Sequence, residues 1–327
     1  MNIIRAGIVG YGNIGRGAEK AIQQSPDFEL TAVLSRRSPE ELSIETSTAL
    51  KIHVDDALHL KGKVDVMILC GGSATDLPAQ GPEFAKNFNT VDSYDTHAKI
   101  PEYFKLMNEA SQAAGLVSVI SAGWDPGLFS MNRVLAQAVL PNGSGCTFWG
   151  RGVSQGHSDA IRRIDGVEAA IQYTIPIAAA IEKARKGEGG FLTAREKHIR
   201  ECFVVAREGA DKAEIEDKIK TMPNYFAEYD TIVHFISRDE FSAKHTGMAH
   251  GGFVIHSGKT SGGGRHTMEF SLDLYHNAEF TASVLVAYAR AACRCNREGQ
   301  KGALTALDIP LAYLSLKSAE ELRREYL

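Results

Sequence analysis

Apolar and polar positions alternate along this chain in two distinct rhythms. Residues 3–9 form an apolar run with β-branched members, long enough for one buried strand. Gly10, Gly12 and Gly15 follow at G-x-G-x-x-G spacing, and residues 16–24 then place Ala18, Ala21 and Ile22 on one helical face. Further strands are predicted at 28–34 (FELTAVL), 64–70 (VDVMILC), 89–92 (NTVD) and 116–121 (LVSVIS). VDVMILC is nearly continuous in apolar character, as in a central parallel strand buried on both faces. Residues 39–60 are less regular and are expected to hold a short strand and a helix. The spacing predicts a helix over 101–114, with Pro101 in its first turn, Tyr103, Leu106 and Ala110 on its apolar face and Gly115 as its stop. Strands alternating with helices give an α/β fold, a Rossmann-type doubly wound parallel sheet over 1–125.

The rhythm changes near residue 145. Strands are predicted at 146–150, within 167–177 (QYTIP), and at 199–206, 230–236, 253–257 and 267–274. Helices are predicted at 178–186 and 213–222, a polar loop at 152–159 (GVSQGHSD) and a glycine-rich turn at 261–264. Residues 126–279 therefore read as a second, mixed α+β domain for substrate binding and dimerisation. Residues 280–297 form a strong helix of the kind that often returns to the nucleotide domain in two-domain dehydrogenases. The segment 280–327, with one more short helix at 318–326, is expected to pack back there.

Composition narrows the partners. The net charge is −4 and no Lys/Arg block is present, which argues against nucleic acid and anionic membranes. The five cysteines are odd in number, irregularly spaced and without a C-x-x-C, which fits free thiols in a reducing compartment. No leader precedes the first strand and no apolar run reaches the roughly 18 residues of a membrane span, so a cytoplasmic protein is expected. No metal site is expected, since His245 and His250 lack H-E-x-x-H spacing. His157 and Asp159 near Ser154 and Ser158 do not by themselves make a nucleophilic triad.

The candidate chemistry starts at the glycines. Strand, G-x-G-x-x-G and helix in succession make a dinucleotide fingerprint: Gly10 for the tight turn, Gly12 for approach of a pyrophosphate, Gly15 for close packing, and helix N–H groups facing the phosphates. The second strand ends in Ser35-Arg36-Arg37 with no acid before Glu40. A carboxylate there would serve a ribose hydroxyl, whereas guanidinium groups pair with a 2′-phosphate, so NADP is predicted over NAD. Gly71-Gly72-Ser73 either wraps the cofactor or forms a plain turn with a capping hydroxyl. Two strands run into carboxylates, Asp95 and Asp125, at the sheet edge where ligands of open α/β folds bind; each is a substrate contact or a turn or N-cap aspartate. Arg162, Arg163, Arg195 and Arg200 are candidates to clamp a carboxylate or solvated cations, and Trp149 is a pocket wall or core. From the residues alone, this is an NADP-dependent oxidoreductase acting on a small polar molecule.

A longer set of motifs carries a resemblance. IVGYGNIG at 8–15, SRR at 35–37, CGGSATD at 70–76, VDSYDTH at 91–97 and GWDPG at 123–127 are joined by FWGRGVSQGHSDAIRRI at 148–164 and QYTIP at 172–176. HIRECFVV at 198–205, TMPNYF at 221–226, HTGMAHGG at 245–252 and NAEFTAS at 277–283 complete it. Over nearly its whole length the chain resembles the meso-diaminopimelate dehydrogenases. The resemblance implies reversible NADP-dependent oxidative deamination of the D-centre of meso-2,6-diaminopimelate to L-2-amino-6-oxopimelate and ammonia, in lysine biosynthesis, by a homodimer. It puts cofactor contacts at Gly10 to Gly15 (with Tyr11, Gly12, Asn13 and Ile14), Ser35, Arg36, Arg37, Cys70, Gly71, Gly72, Ser73, Ala74, Thr75, Ser93 and Tyr94. Substrate contacts fall on Asp95, Trp124, Asp125, Phe148, Trp149, Ser154, Gln155, Gly156, Thr174, Arg200, His250 and Asn277. Asp95 or Asp125 would be the general base, its basicity raised by burial near the nicotinamide, with the choice between them open. The alternatives are a broader D-amino acid dehydrogenase and a non-enzymatic NADP-binding regulator.

Overall fold

The computed structural model describes residues 3–327. In chain order the first elements are β1 (Ile4–Val9), α1 (Asn13–Gln23), β2 (Phe28–Ser35), β3 (Leu50–His53), β4 (Val66–Leu69), α2 (Leu77–Ala85), β5 (Asn89–Asp92), α3 (Ile100–Ala114), β6 (Val117–Val119) and α4 (Leu128–Val139). Then come β7 (Gly143–Trp149), β8 (Gly152–Val153), α5 (Gln155–Arg162), β9 (Val167–Pro176), α6 (Ala178–Arg185), α7 (Ala194–Lys197), β10 (His198–Ala206), α8 (Lys212–Lys220), β11 (Asp230–Phe235) and α9 (Arg238–Lys244). β12 (His250–Lys259), β13 (Arg265–Leu274), α10 (Asn277–Arg297), β14 (Gly302–Leu304), α11 (Leu311–Leu314) and α12 (Ala319–Tyr326) end the chain. The chain divides into two units, one running to Met131 and resuming at Ala278–Leu327, the other Asn132–Asn277.

The first unit holds a seven-stranded sheet in the order β14-β6-β5-β4-β1-β2-β3, parallel throughout. This is the doubly wound order, with its switch of direction between β1 and β4. β4 (VMIL) is buried at every position, as a central parallel strand requires. The last helices belong to this unit for a physical reason. A side chain at Gly17 on α1 would meet the Cβ of Ala282 at 2.9 Å and the Cα of Glu279 at 3.1 Å, so α1 and α10 touch nearly backbone to backbone. Buried Arg290 on α10 grips Asp27 through two hydrogen bonds of 2.5 and 2.9 Å, and β14 extends the sheet beyond β6.

The second unit carries two smaller sheets. One is β11-β10-β9-β8, with β10 antiparallel to β9 and parallel to β11; the other is the antiparallel β13-β12-β7. The polar stretch expected to be a loop at 152–159 is instead β8 and the first turns of α5. Only Ser158 and Ile161 of α5 are buried, so its helical period carries too few apolar residues to read. α2 escaped the pattern because LPAQGPEFA carries a proline in its first turn and Pro82 within. The helices α4 and α9 also lie outside the sequence reading, and α1 begins three residues earlier than the predicted 16.

Candidate functional site

The ends of β1, β2 and β4 enclose a groove of about 390 Å³. Its walls include Gly10, Tyr11, Gly12, Ser35, Arg36, Arg37, Cys70, Gly71 and Gly72. Gly10 has φ +90°, a left-handed conformation that a side chain disfavours. A Cβ at Gly15 would lie 2.2 Å from the Gly10 carbonyl oxygen, so only glycine lets α1 start this close to the turn. A Cβ at Gly12 would meet nothing within 4 Å: the residue faces open space. Gly12 is also the N-cap of α1, so the positive end of the helix dipole opens beside a residue that lines the groove. The three glycines thus give a tight turn, an open approach and a close packing contact in succession, the arrangement that a dinucleotide fingerprint describes.

Tyr11 is fastened beneath. Its hydroxyl donates to buried Glu19, which also accepts the Thr46 N–H at 2.6 Å. Burial, then this bond to a carboxylate, raises the phenol's pKa. At the end of β2, the Arg37 guanidinium donates to the Tyr11 carbonyl at 2.9 Å and its N–H donates to Ser35 Oγ at 3.1 Å. Arg36 is largely exposed and reaches Asp76 at 3.2 Å. Asp76 and Gln80, which line the groove from the turn before α2 and from α2, were missed in the sequence because that helix was. Asp76 also accepts the Gly72 N–H at 2.8 Å, which fixes the Gly71-Gly72-Ser73 turn. Cys70 is a protonated thiol, pushed up to about 12 by burial. Ser93 follows β5 directly, and the ring of Tyr94 is buried and stacked on Tyr103 at 4.1 Å, so its main chain is what it can offer a ligand.

Ser73 Oγ also accepts the N–H of Asp95 at 2.8 Å, tying the two turns together. Asp95 is exposed and Asp125 half-buried. Trp124 is buried edge-on against Phe129 at 5.2 Å.

In the second unit, β10 alternates buried and half-exposed positions, which puts His198, Arg200 and Cys202 on one buried face. That alternation was a usable signal for His198, which the sequence reading passed over. Register pairs Thr174 of β9 with Arg200 on one side and with Gly152 of β8 on the other. The guanidinium of Arg200 donates to Thr174 Oγ1 and lies 3.9 Å from the ring centroid of Tyr229. Arg200 is 7% exposed and makes no ion pair among the described residues, and its buried Nε has no hydrogen-bond partner. Burial lowers its pKa, the mark of a cation without an anion.

Around it the histidines are neutral. His198 is held to about 3 and His157 to about 4, in each case by burial first and the charge of Arg200 second. His198 Nε2 accepts the Trp149 N–H at 2.9 Å and its ring stacks on the indole at 5.4 Å. His157 Nδ1 bonds Ser154 Oγ at 2.7 Å in the first turn of α5, beside exposed Gln155 and Gly156. A Cβ at Gly152 would sit 2.4 Å from the ring of His250, so glycine admits that imidazole. Asn277 is tied to this segment through its N–H, 2.9 Å from the Met248 carbonyl. Phe148 lies apart, fully buried in the core with Ile255. Arg195 and Arg162 are engaged elsewhere, with Asp230 and Asp159, and Arg163 is exposed at the end of α5, which leaves buried Arg200 as the candidate clamp. Among the described residues, no group of three or more His, Cys, Asp or Glu side chains is arranged to hold a metal ion.

The sequence profile of the oxidoreductase family with an NAD-binding Rossmann fold matches residues 4–95, and that of the diaminopimelic acid dehydrogenase C-terminal domain matches 123–276. The chain is 61% identical to the meso-diaminopimelate D-dehydrogenase of Ureibacillus thermosphaericus over 327 residues, all of both chains. It is similar to the C. glutamicum DAP dehydrogenase in complex with DAP (TM-score 0.93, 49% identity, all of both chains). It is also similar to an engineered D-amino acid dehydrogenase bound to NADP⁺ (TM-score 0.88, 47% identity, all of both chains). With identity at this level along its whole length, the chain belongs to the meso-diaminopimelate D-dehydrogenase family.

Proposed function

We infer that this enzyme oxidatively deaminates the D-centre of meso-2,6-diaminopimelate, with NADP⁺ as oxidant, in lysine biosynthesis. One water enters; L-2-amino-6-oxopimelate, ammonium, NADPH and one proton leave. The observation that carries the substrate side is Arg200, a buried guanidinium whose only polar partners among the described residues are neutral hydroxyls. A substrate carboxylate would satisfy Nε and neutralise the charge at once, in the bidentate geometry that arginine favours.

The cofactor fits the groove. The Gly10–Gly15 cradle would hold the pyrophosphate, and Ser35, Arg36 and Arg37 the 2′-phosphate. Bound there, NADP⁺ supplies a hydride acceptor. The remaining work falls to side chains. Thr174, Arg200 and His250 suit a carboxylate, while Asp95 and Asp125 suit an ammonium. One of these two aspartates takes the proton that the amine must lose before its α-hydride can leave. Trp149, held flat by His198, walls the aliphatic chain. Because both ends of the substrate are amino-acid heads, selection of the D-centre requires fixed clamps at each end. The enzyme acts as a homodimer, a reading supported by Val134, Leu135 and Val139, each at least half exposed on α4. It works in the cytoplasm, in keeping with five free thiols. Among the described residues no helix is long and apolar enough to cross a membrane.

The test is NADPH formation by the purified protein with meso-diaminopimelate, run beside the LL- and DD-isomers, D-lysine and NAD⁺. Turnover confined to the meso isomer with NADP⁺ is expected. Turnover spread over D-amino acids would replace the substrate assignment, and preference for NAD⁺ would replace the cofactor.

A further inference from the structure

Asp92, the last residue of β5, belongs to neither set of candidate contacts. It is fully buried, with no ion pair among the described residues. One carboxylate oxygen accepts the N–H of Tyr94 at 2.9 Å and the N–H of Ser121 at 3.1 Å; the other accepts the Tyr103 hydroxyl at 2.8 Å. Its main-chain carbonyl accepts the N–H of Ala122 at 2.8 Å. These donors lie on three different segments. Tyr94 immediately precedes Asp95, Ser121 and Ala122 lead into Trp124 and Asp125, and Tyr103 is on α3, its ring stacked on Tyr94. Ser121 has φ +55°, a left-handed conformation uncommon away from glycine, and its N–H is one of those held by Asp92.

A buried carboxylate without a cation is an expensive way to fill space, and an aliphatic side chain would be cheaper. An aliphatic side chain cannot hold two chain segments at a fixed separation by their N–H groups. We propose that Asp92 is a positioning residue, which sets the spacing between the segments carrying Asp95 and Asp125 and so the geometry in which those carboxylates meet the substrate. This rests on the reading that Asp95 and Asp125 contact the substrate. Small misplacements of reacting groups cost rate rather than affinity, so the effect belongs in kcat.

Asp92→Val suits the strand and removes the oxygen that accepts the Tyr94 and Ser121 N–H groups. It is expected to lower kcat about tenfold, with KM for diaminopimelate and the dissociation constant of NADP⁺ within threefold, all measured well below the melting temperature. Asp92→Asn keeps one oxygen for both N–H groups and should restore kcat to within about threefold of the parent. Should Asp92→Val not fold, Asp92→Ala takes its place. Full kcat in the folded aliphatic variant overturns the proposal. So does a lowered melting temperature with unchanged kcat well below it, which is the signature of a merely structural role. Asp95→Asn and Asp125→Asn are measured alongside; full activity in both would remove the underlying reading and the proposal with it, whatever Asp92→Val does.

Discussion

The groove at the ends of β1 and β2 is built mainly from main chain, whereas the cluster around Arg200 is built from side chains converging from three strands. In the groove the decisive facts are a positive φ at Gly10, a missing Cβ at Gly15 and open space at Gly12. In the cluster they are a buried charge, an orphaned Nε and two neutral histidines. A main-chain site tolerates any sequence that keeps its backbone, so it recurs as a short local motif. A side-chain site is assembled by register between strands far apart in the chain, and no local motif encodes it.

The sharpest way to break this contrast is Arg200→Met. With Arg200 as the proposed carboxylate clamp, its loss should lower kcat/KM for diaminopimelate about 10³-fold, while NADP⁺ affinity, measured by fluorescence titration, stays within twofold. The folded state should not suffer, because an unpaired buried cation is replaced by an apolar chain of similar reach. A comparable loss of cofactor affinity would mean the two sites are not separable.

The converse variant is Gly12→Val. Its backbone is extended (φ −96°, ψ −151°) and its neighbourhood open, so the protein should fold with an unchanged melting temperature. The side chain would stand where a pyrophosphate approaches, and NADP⁺ should bind about 100-fold more weakly. Gly15→Ala makes the useful contrast: it should cost stability, because its Cβ would strike main chain.

Next in size is the charged end of the groove. Arg36→Ala with Arg37→Ala should reduce the preference for NADP⁺ over NAD⁺ about 30-fold, as expected for loss of charge-assisted phosphate bonds. Initial rates with both cofactors measure it. An unchanged ratio would move the 2′-phosphate elsewhere.

The smallest effect is on stability against pH. Burial holds His198 to about 3, whereas the unfolded chain takes up this proton near 6.5. Between these values the unfolded state binds the extra proton, so stability falls as pH falls through this window. His198→Gln keeps an acceptor for the Trp149 N–H and should flatten the slope by one proton, about 1.4 kcal/mol per pH unit near pH 5. Denaturant unfolding at pH 5 and pH 7 reads it directly; identical slopes would mean that His198 is protonated in the folded enzyme.

The same contrast governs what was legible beforehand. The Rossmann order, the fingerprint and Arg36 with Arg37 follow from local pattern, because parallel strands buried on both faces and glycine turns leave strong marks. Arg200 stood out only through resemblance; periodicity ranked it with Arg162 and Arg195, which the fold commits to surface ion pairs. His198 was visible in the alternation of β10, whereas Tyr229 left no sign, since its place over Arg200 depends on tertiary packing alone. Asp92 was read as part of a strand, and its hydrogen bonds to the two aspartate-bearing segments appear only once α3 and the 121–122 turn are folded beside it.

The grip of Arg290 on Asp27 has a consequence in time. The two residues are 263 positions apart in the chain. At roughly 5–20 residues per second of synthesis, Asp27 waits on the order of 10–50 s for its partner to be made. Throughout that interval a buried carboxylate lacks its cation, α1 lacks the helix that covers Gly17, and the sheet lacks β14. Every strand of the second unit is made before α10. On the ribosome, the unit begun first is therefore the last to close.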